Sequence, residues 1–92
     1  MSAIVRAPKP PGGPWVAIAD DATWRVEDGT RTCRARLGRV SCGQPGAAAL
    51  NRQRYISGKG WADSWWAYCP THLAESYRWV QDGRVWRWRR EP

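Results

Sequence analysis

Four side chains able to grip a soft metal ion constrain this chain more than any other feature: Cys33, Cys42, Cys69 and the single histidine, His72. Three cysteines cannot all pair with one another, so a complete internal disulfide framework is excluded. Cys69-Pro70-Thr71-His72 sets two donors three residues apart, and Pro70 suits the first helical position because its missing N–H leaves no bond unmade. Donors at that spacing share one face of a first helical turn and can hold one ion, and the helix dipole there favours thiolate. Cys33 and Cys42 lie further apart than the usual two to four residues of a metal hook. A hairpin turn at Leu37-Gly38 would bring them together across its base. Cys42-Gly43-Gln44-Pro45 has the shape of a knuckle, in which glycine lets backbone amides turn towards a thiolate. Three Cys and one His make a standard structural zinc set with no coordination position left for water. The competing reading is that the cysteines are small buried apolar residues and His72 an ordinary surface histidine. It leaves the coincidence of C-x-x-H with a helix start unexplained.

Size makes such a staple useful. A chain of 92 residues is one domain at most, and it buries only about 60–65% of the surface its unfolded form exposes. With eight Trp, three Tyr and no Phe, tryptophan must occupy core positions that phenylalanine usually fills. Arginine outnumbers lysine by 13 to 2, and the formal net charge is +7. One zinc on three thiolates changes that to 7 + 2 − 3 = +6, still strongly basic. This balance favours an acidic partner, either nucleic acid or an acidic protein surface. No stretch approaches the roughly 18 apolar residues of a membrane helix. Met1 to Pro14 is interrupted by prolines and glycines rather than carrying an apolar signal core. A reducing, cytoplasmic setting is expected, with no membrane partner and no small-molecule substrate.

Along the chain, residues 1–14 read as a flexible Pro/Gly-rich tail and residues 15–92 as a single metal-binding domain. Trp15 to Glu27 holds two short extended pieces, and Thr30 to Cys42 a hairpin. Ala47 to Ile56 and Trp61 to Tyr68 form a second hairpin around Ser57-Gly58-Lys59-Gly60. Leu73, Tyr77 and Val80 recur at helical spacing, which predicts a helix from Cys69 to Val80 stopped by Asp82-Gly83. Arg84 to Arg90 alternates, with Trp86 and Trp88 on one face and Arg87 and Arg89 on the other, and reads as a closing strand. The expected fold is therefore α+β: two β-hairpins, one helix and a closing strand.

The order of knuckle, hairpin and ligand-bearing helix resembles the treble-clef zinc finger. More narrowly, C-G-Q-P, A-A-A-L-N-R, W-W-A-Y-C-P-T-H-L and W-V-Q-D-G are similar to a family of small, mostly uncharacterised zinc-finger proteins of actinobacteria and their phages. The resemblance spans roughly residues 31–88 and is most specific around Cys69 to Leu73. It implies Cys33, Cys42, Cys69 and His72 as zinc ligands, and a bacterial or phage-infected cell as the setting. It implies no particular activity.

Catalysis is not expected. A nuclease of the HNH type needs a histidine base and further ligands for a second metal, and here the only histidine is already committed. Zinc deaminases need H-x-E and P-C-x-x-C, and neither occurs. Ser57-Gly58-Lys59-Gly60 lacks the frame of a phosphate loop. Asp20 and Asp21 would point to opposite faces of a strand and read as a solvated loop. What remains is binding. Arg31, Arg34, Arg36 and Arg39 cluster on the first hairpin, and Arg84, Arg87, Arg89 and Arg90 at the C-terminus. Sharing a face, they would neutralise several phosphates. The leading expectation is a non-catalytic nucleic-acid-binding module. The alternative is a small adaptor or inhibitor that docks on a host protein through Trp and Arg anchors. Trp66, Tyr68, Trp86 and Trp88 sit at strand spacing and read as core, whereas Trp15, Trp24, Trp61 and Trp79 follow no clear pattern.

Overall fold

A computed structural model describes residues 5–20 and 23–92. The predicted α+β character is present, with ten short strands and one short helix among these residues. Strand β1 (Trp15–Ala19) leads to β2 (Trp24–Val26), a small hairpin follows as β3 (Arg36–Leu37) and β4 (Val40–Ser41), and β5 (Ala48–Asn51) and β6 (Arg54–Ile56) run outward. The chain returns through β7 (Gly60–Ala62) and β8 (Trp65–Tyr68), enters α1 (Pro70–Glu75), and ends in β9 (Arg78–Gln81) and β10 (Arg84–Arg90). Two three-stranded antiparallel sheets result, β1-β10-β9 and β2-β5-β8, and β3–β4 and β6–β7 form separate two-stranded ladders. No helix among the described residues is long and apolar enough to cross a membrane.

The predicted helix over Cys69 to Val80 is corrected to six residues. Its last turn closes where Tyr77 N–H donates to the Ala74 carbonyl at 2.9 Å and the Ser76 hydroxyl to the Leu73 carbonyl at 2.7 Å. Tyr77 then turns into the left-handed region at φ 59°. Asp82-Gly83, read from sequence as a helix stop, is instead a two-residue hairpin turn with φ values of 53° and 72°. Positive φ at both central residues matches the twist of the flanking strands. Leu73 and Val80 do share a core, but one supplies it from the helix and the other from a strand.

Alternation along β9 and β10 divides the interior in two. Val80 and Val85 are register partners facing Ala47, Ala48, Leu73 and Trp24, between the two sheets and α1. On the other face Trp79, Trp86 and Trp88 pack with Trp15 and Ala17. Trp79 and Trp86 stack at 6.4 Å, and Trp79 meets Trp88 at 5.3 Å. Each of these indoles has an acceptor: Gln81 Oε1 for Trp79, the Gln81 carbonyl for Trp86, and the Ala7 carbonyl for Trp88 at 2.9 Å. The segment read as a tail thus contributes buried Ala7 to this face, with Arg6 lying 4.8 Å from the centre of the Trp88 ring. Trp79, which followed no pattern in the sequence, is only 2% exposed. Asp20, just after β1, accepts from Arg78 Nε at 3.1 Å within the β1-β10-β9 sheet, and Arg78 reaches the other sheet by lying over Trp24 at 5.1 Å. The neighbouring Asp21 falls outside the described residues.

Candidate metal centre

The wide spacing of Cys33 and Cys42 is closed by the stem below β3–β4. Cys42 N–H donates to the Ala35 carbonyl at 2.7 Å, Cys33 N–H to the Gln44 carbonyl at 2.7 Å, and Gly43 N–H to the Cys33 carbonyl at 3.2 Å. Gly43 takes φ 74°, the left-handed bend a knuckle requires. This stem is seated on β8, where Arg34 N–H donates to the Ala67 carbonyl at 2.9 Å. Gly46 passes so close that a Cβ there would lie 2.8 Å from the Arg31 carbonyl oxygen and 2.9 Å from Ala67 Cβ. β8 then delivers Cys69 to the N-cap of α1, and one turn later His72 faces the same point.

The four donor atoms lie within 4.8 Å of one another. His72 Nδ1 is 3.2 Å from Cys69 Sγ and 3.4 Å from Cys33 Sγ, and the sulfurs of Cys42 and Cys69 are 3.9 Å apart. A tetrahedral ion bonded to sulfur at about 2.3 Å and to nitrogen at about 2.0–2.1 Å sets edges of about 3.8 Å and 3.6 Å. These three separations fall within about 0.4 Å of those edges, while the group as a whole spans up to 4.8 Å. All three thiols are free of disulfides, Cys33 and Cys69 are buried, and Cys42 and His72 are half-buried. The group could hold one metal ion, as the sequence predicts.

Backbone amides already favour the thiolate form. The Gln44 N–H beside Cys42 holds that thiol below its ordinary value, helped by the neighbouring thiols of Cys69 and Cys33. Burial pushes the Cys33 thiol up, against the opposing pull of the N–H groups of Cys69 and Ala35. A cation in the centre would offset that desolvation by supplying the missing opposite charge.

The eight arginines singled out from the sequence fall on two separate parts of the fold. Four lie on or before the β3–β4 ladder and four on β10, which belongs to another sheet. Several are engaged within the fold. Arg31 donates to the Trp65 carbonyl at 3.2 Å, and Arg34 covers Trp66 at 4.4 Å. Arg87 approaches Asp20 at 3.9 Å, and Arg90 lies over Trp15 at 5.2 Å. Arg36, Arg39, Arg84 and Arg89 are exposed. Sequence reasoning did not single out Tyr55, which is 64% exposed opposite Trp61 at 70%. Its signal was available, because Tyr55 and Trp61 each stand three residues from Gly58 at the centre of the turn. No known protein family, curated protein or solved structure matches the chain.

Proposed function

We propose that this protein is a non-catalytic module, built on one structural zinc ion, that engages nucleic acid through exposed arginines. The observation that carries the zinc reading is the convergence of Cys33, Cys42, Cys69 and His72 Nδ1 within 4.8 Å. Three thiolates and an imidazole in a tetrahedral arrangement suit zinc better than harder divalent ions. With all four ligands from protein, the ion would fix the stem of β3–β4 to the start of α1 and offer no position to a substrate. The order of knuckle, hairpin and ligand-bearing helix supports a treble-clef assignment. So does the resemblance of residues 31–88 to small zinc fingers of actinobacteria and their phages. The sole histidine stands among the donors, which leaves no second imidazole for general-base work.

The nucleic-acid part rests on the net charge of +7 and on Arg36, Arg39, Arg84 and Arg89, whose side chains face solvent. Contacts of this kind to phosphate give steep salt dependence and little base preference. The test is a titration of zinc-loaded protein against duplex and single-stranded DNA and RNA at about 50 and 200 mM salt. Binding at micromolar or lower concentration is expected at the lower salt. Replacing Arg84 and Arg89 with Ala should weaken every sequence about equally and flatten the salt slope. No binding at the lower salt contradicts the reading. The rival reading, an adaptor docking on a host protein, is favoured by Leu37 and Val40, register partners that are 60% and 68% exposed between Arg36 and Arg39. It predicts weak nucleic-acid affinity and one discrete partner in a pull-down.

A further inference from the structure

The β6–β7 arm carries an aromatic pair that the fold leaves in water. Tyr55 and Trp61 are direct cross-strand partners, meeting edge-on at 5.7 Å with ring planes 69° apart. A cross-strand aromatic contact helps hold a two-stranded ladder that is otherwise marginal, but it uses only one side of each ring. Trp61 is the sole exposed tryptophan among the described residues, the others being buried or half-buried. Around the pair the charge is cationic. Residues 52–63 contain Arg52, Arg54 and Lys59 against Asp63 alone, which gives 3 − 1 = +2. The one carboxylate is occupied, because Asn51 Nδ2 and Gln53 Nε2 both donate to Asp63 Oδ1 at 3.2 and 3.3 Å. At the root of the arm Arg52 and Arg34 both lie over Trp66, at 5.1 and 4.4 Å, so the cationic track continues from the arm to the knuckle stem.

Open ring faces beside guanidinium and ammonium groups match the two needs of an unpaired nucleotide chain, a surface on which bases stack and cations for its phosphates. A duplex keeps its base faces inside its own stack and offers this arm only phosphate. We propose that the β6–β7 arm is a stacking platform for unpaired nucleic-acid bases, with Trp61 and Tyr55 against the bases and Arg52, Arg54 and Lys59 along the phosphates. This rests on the nucleic-acid reading above and adds the form of strand recognised.

The experiment compares full-length, zinc-loaded wild-type protein with Trp61→Ala and Trp61→Phe. The probes are oligo-dT, oligo-U and a duplex, each about 15 nucleotides long to match a short stacking site. Trp61→Ala should weaken single-strand binding about tenfold, and Trp61→Phe should retain most of the affinity. Duplex binding and the salt slope should stay as in wild type, because no cation has been removed. Zinc content should be unchanged, since the ring lies outside both cores. Wild-type single-strand affinity in Trp61→Ala overturns the platform and leaves the arginine reading standing. An equal loss for single strand and duplex also overturns it, as a general effect on the fold. If the wild-type protein binds neither form, both readings fall and the arm becomes a protein-docking surface.

Discussion

Around the metal centre the buried residues are mostly small, Cys33, Gly46, Ala47, Ala48, Ala49, Ala67 and Cys69, with Leu73, Val80 and Val85 packed against Ala47 and Ala48. Across the Trp-faced side of β1-β10-β9 the buried groups are Trp79 and Trp88, with Trp15 and Trp86 packed on them. Each large ring removes roughly 150–250 Å² from water, whereas an alanine methyl contributes little apolar area at about 25 cal/mol per Å². The two regions therefore need different means of support. The tryptophan side is held by its own apolar burial and by the indole N–H groups of Trp79, Trp86 and Trp88, each with an acceptor, while that of Trp15 has none among the described residues. Small side chains at the other end let the knuckle stem, β8 and α1 approach until four donors meet, and those small groups bury less apolar area than the rings do. On the zinc reading proposed above, the compact end depends on the ion and the bulky end does not.

Removing the metal should have the largest effect, because structural zinc supplies about 10–16 kcal/mol of apparent binding energy in small domains. Chelation, followed by amide hydrogen exchange, should expose Cys33–Gly46 and α1 before β9 and β10. Simultaneous loss of protection everywhere would break the comparison. Acid acts in the same direction: the ligands bind metal as thiolates and neutral imidazole, so protons compete and affinity must fall as pH falls. The depressed Cys42 thiol and the raised Cys33 thiol imply that Cys33 is the more readily reprotonated of the two once the ion leaves.

Trp79→Ala attacks the other region and should cost about 3–5 kcal/mol in denaturant unfolding, while metal content per chain stays unchanged. Gly46→Ala should cost about 1–3 kcal/mol through overpacking, since the new methyl would meet backbone at 2.8 Å. Unlike Trp79→Ala, it should also loosen the metal, measured as faster transfer of zinc to a chelator. Asp20→Asn tests the carboxylate that holds Arg78 where it lies over Trp24. The Arg78–Asp20 pair at 3.1 Å is partly exposed, so its loss should lower stability by only about 0.2–1 kcal/mol, and by less at high salt.

The compact end was the more legible in the sequence. Cysteine and histidine are scarce enough here that Cys33, Cys42, Cys69 and His72 had no competitors, and Pro70 marked the helix start. The hairpin expected at Leu37-Gly38 does bring Cys33 and Cys42 together, whereas the seating of its stem against the Ala67 carbonyl could not be read from chain spacing. The tryptophan side was less legible. Leu73, Tyr77 and Val80 satisfy helical spacing whether or not a helix continues, and a strand pairing with β10 overrode that pattern after Glu75. Trp79 gave no local sign of being central, since its burial arises from β10 and from Ala7, far away in sequence. The exposed Trp61 looked no different from the buried ones, because composition does not say which side of a ladder has a neighbour.

Whether one zinc ion holds the small-residue end together is decided by metal analysis of the freshly purified protein. Close to one zinc per chain is expected, with His72→Ala and Cys69→Ser losing the ion and the protected amides of the knuckle stem together. A protein that is metal-free as purified, takes up no zinc when it is supplied, and still protects those amides would contradict it.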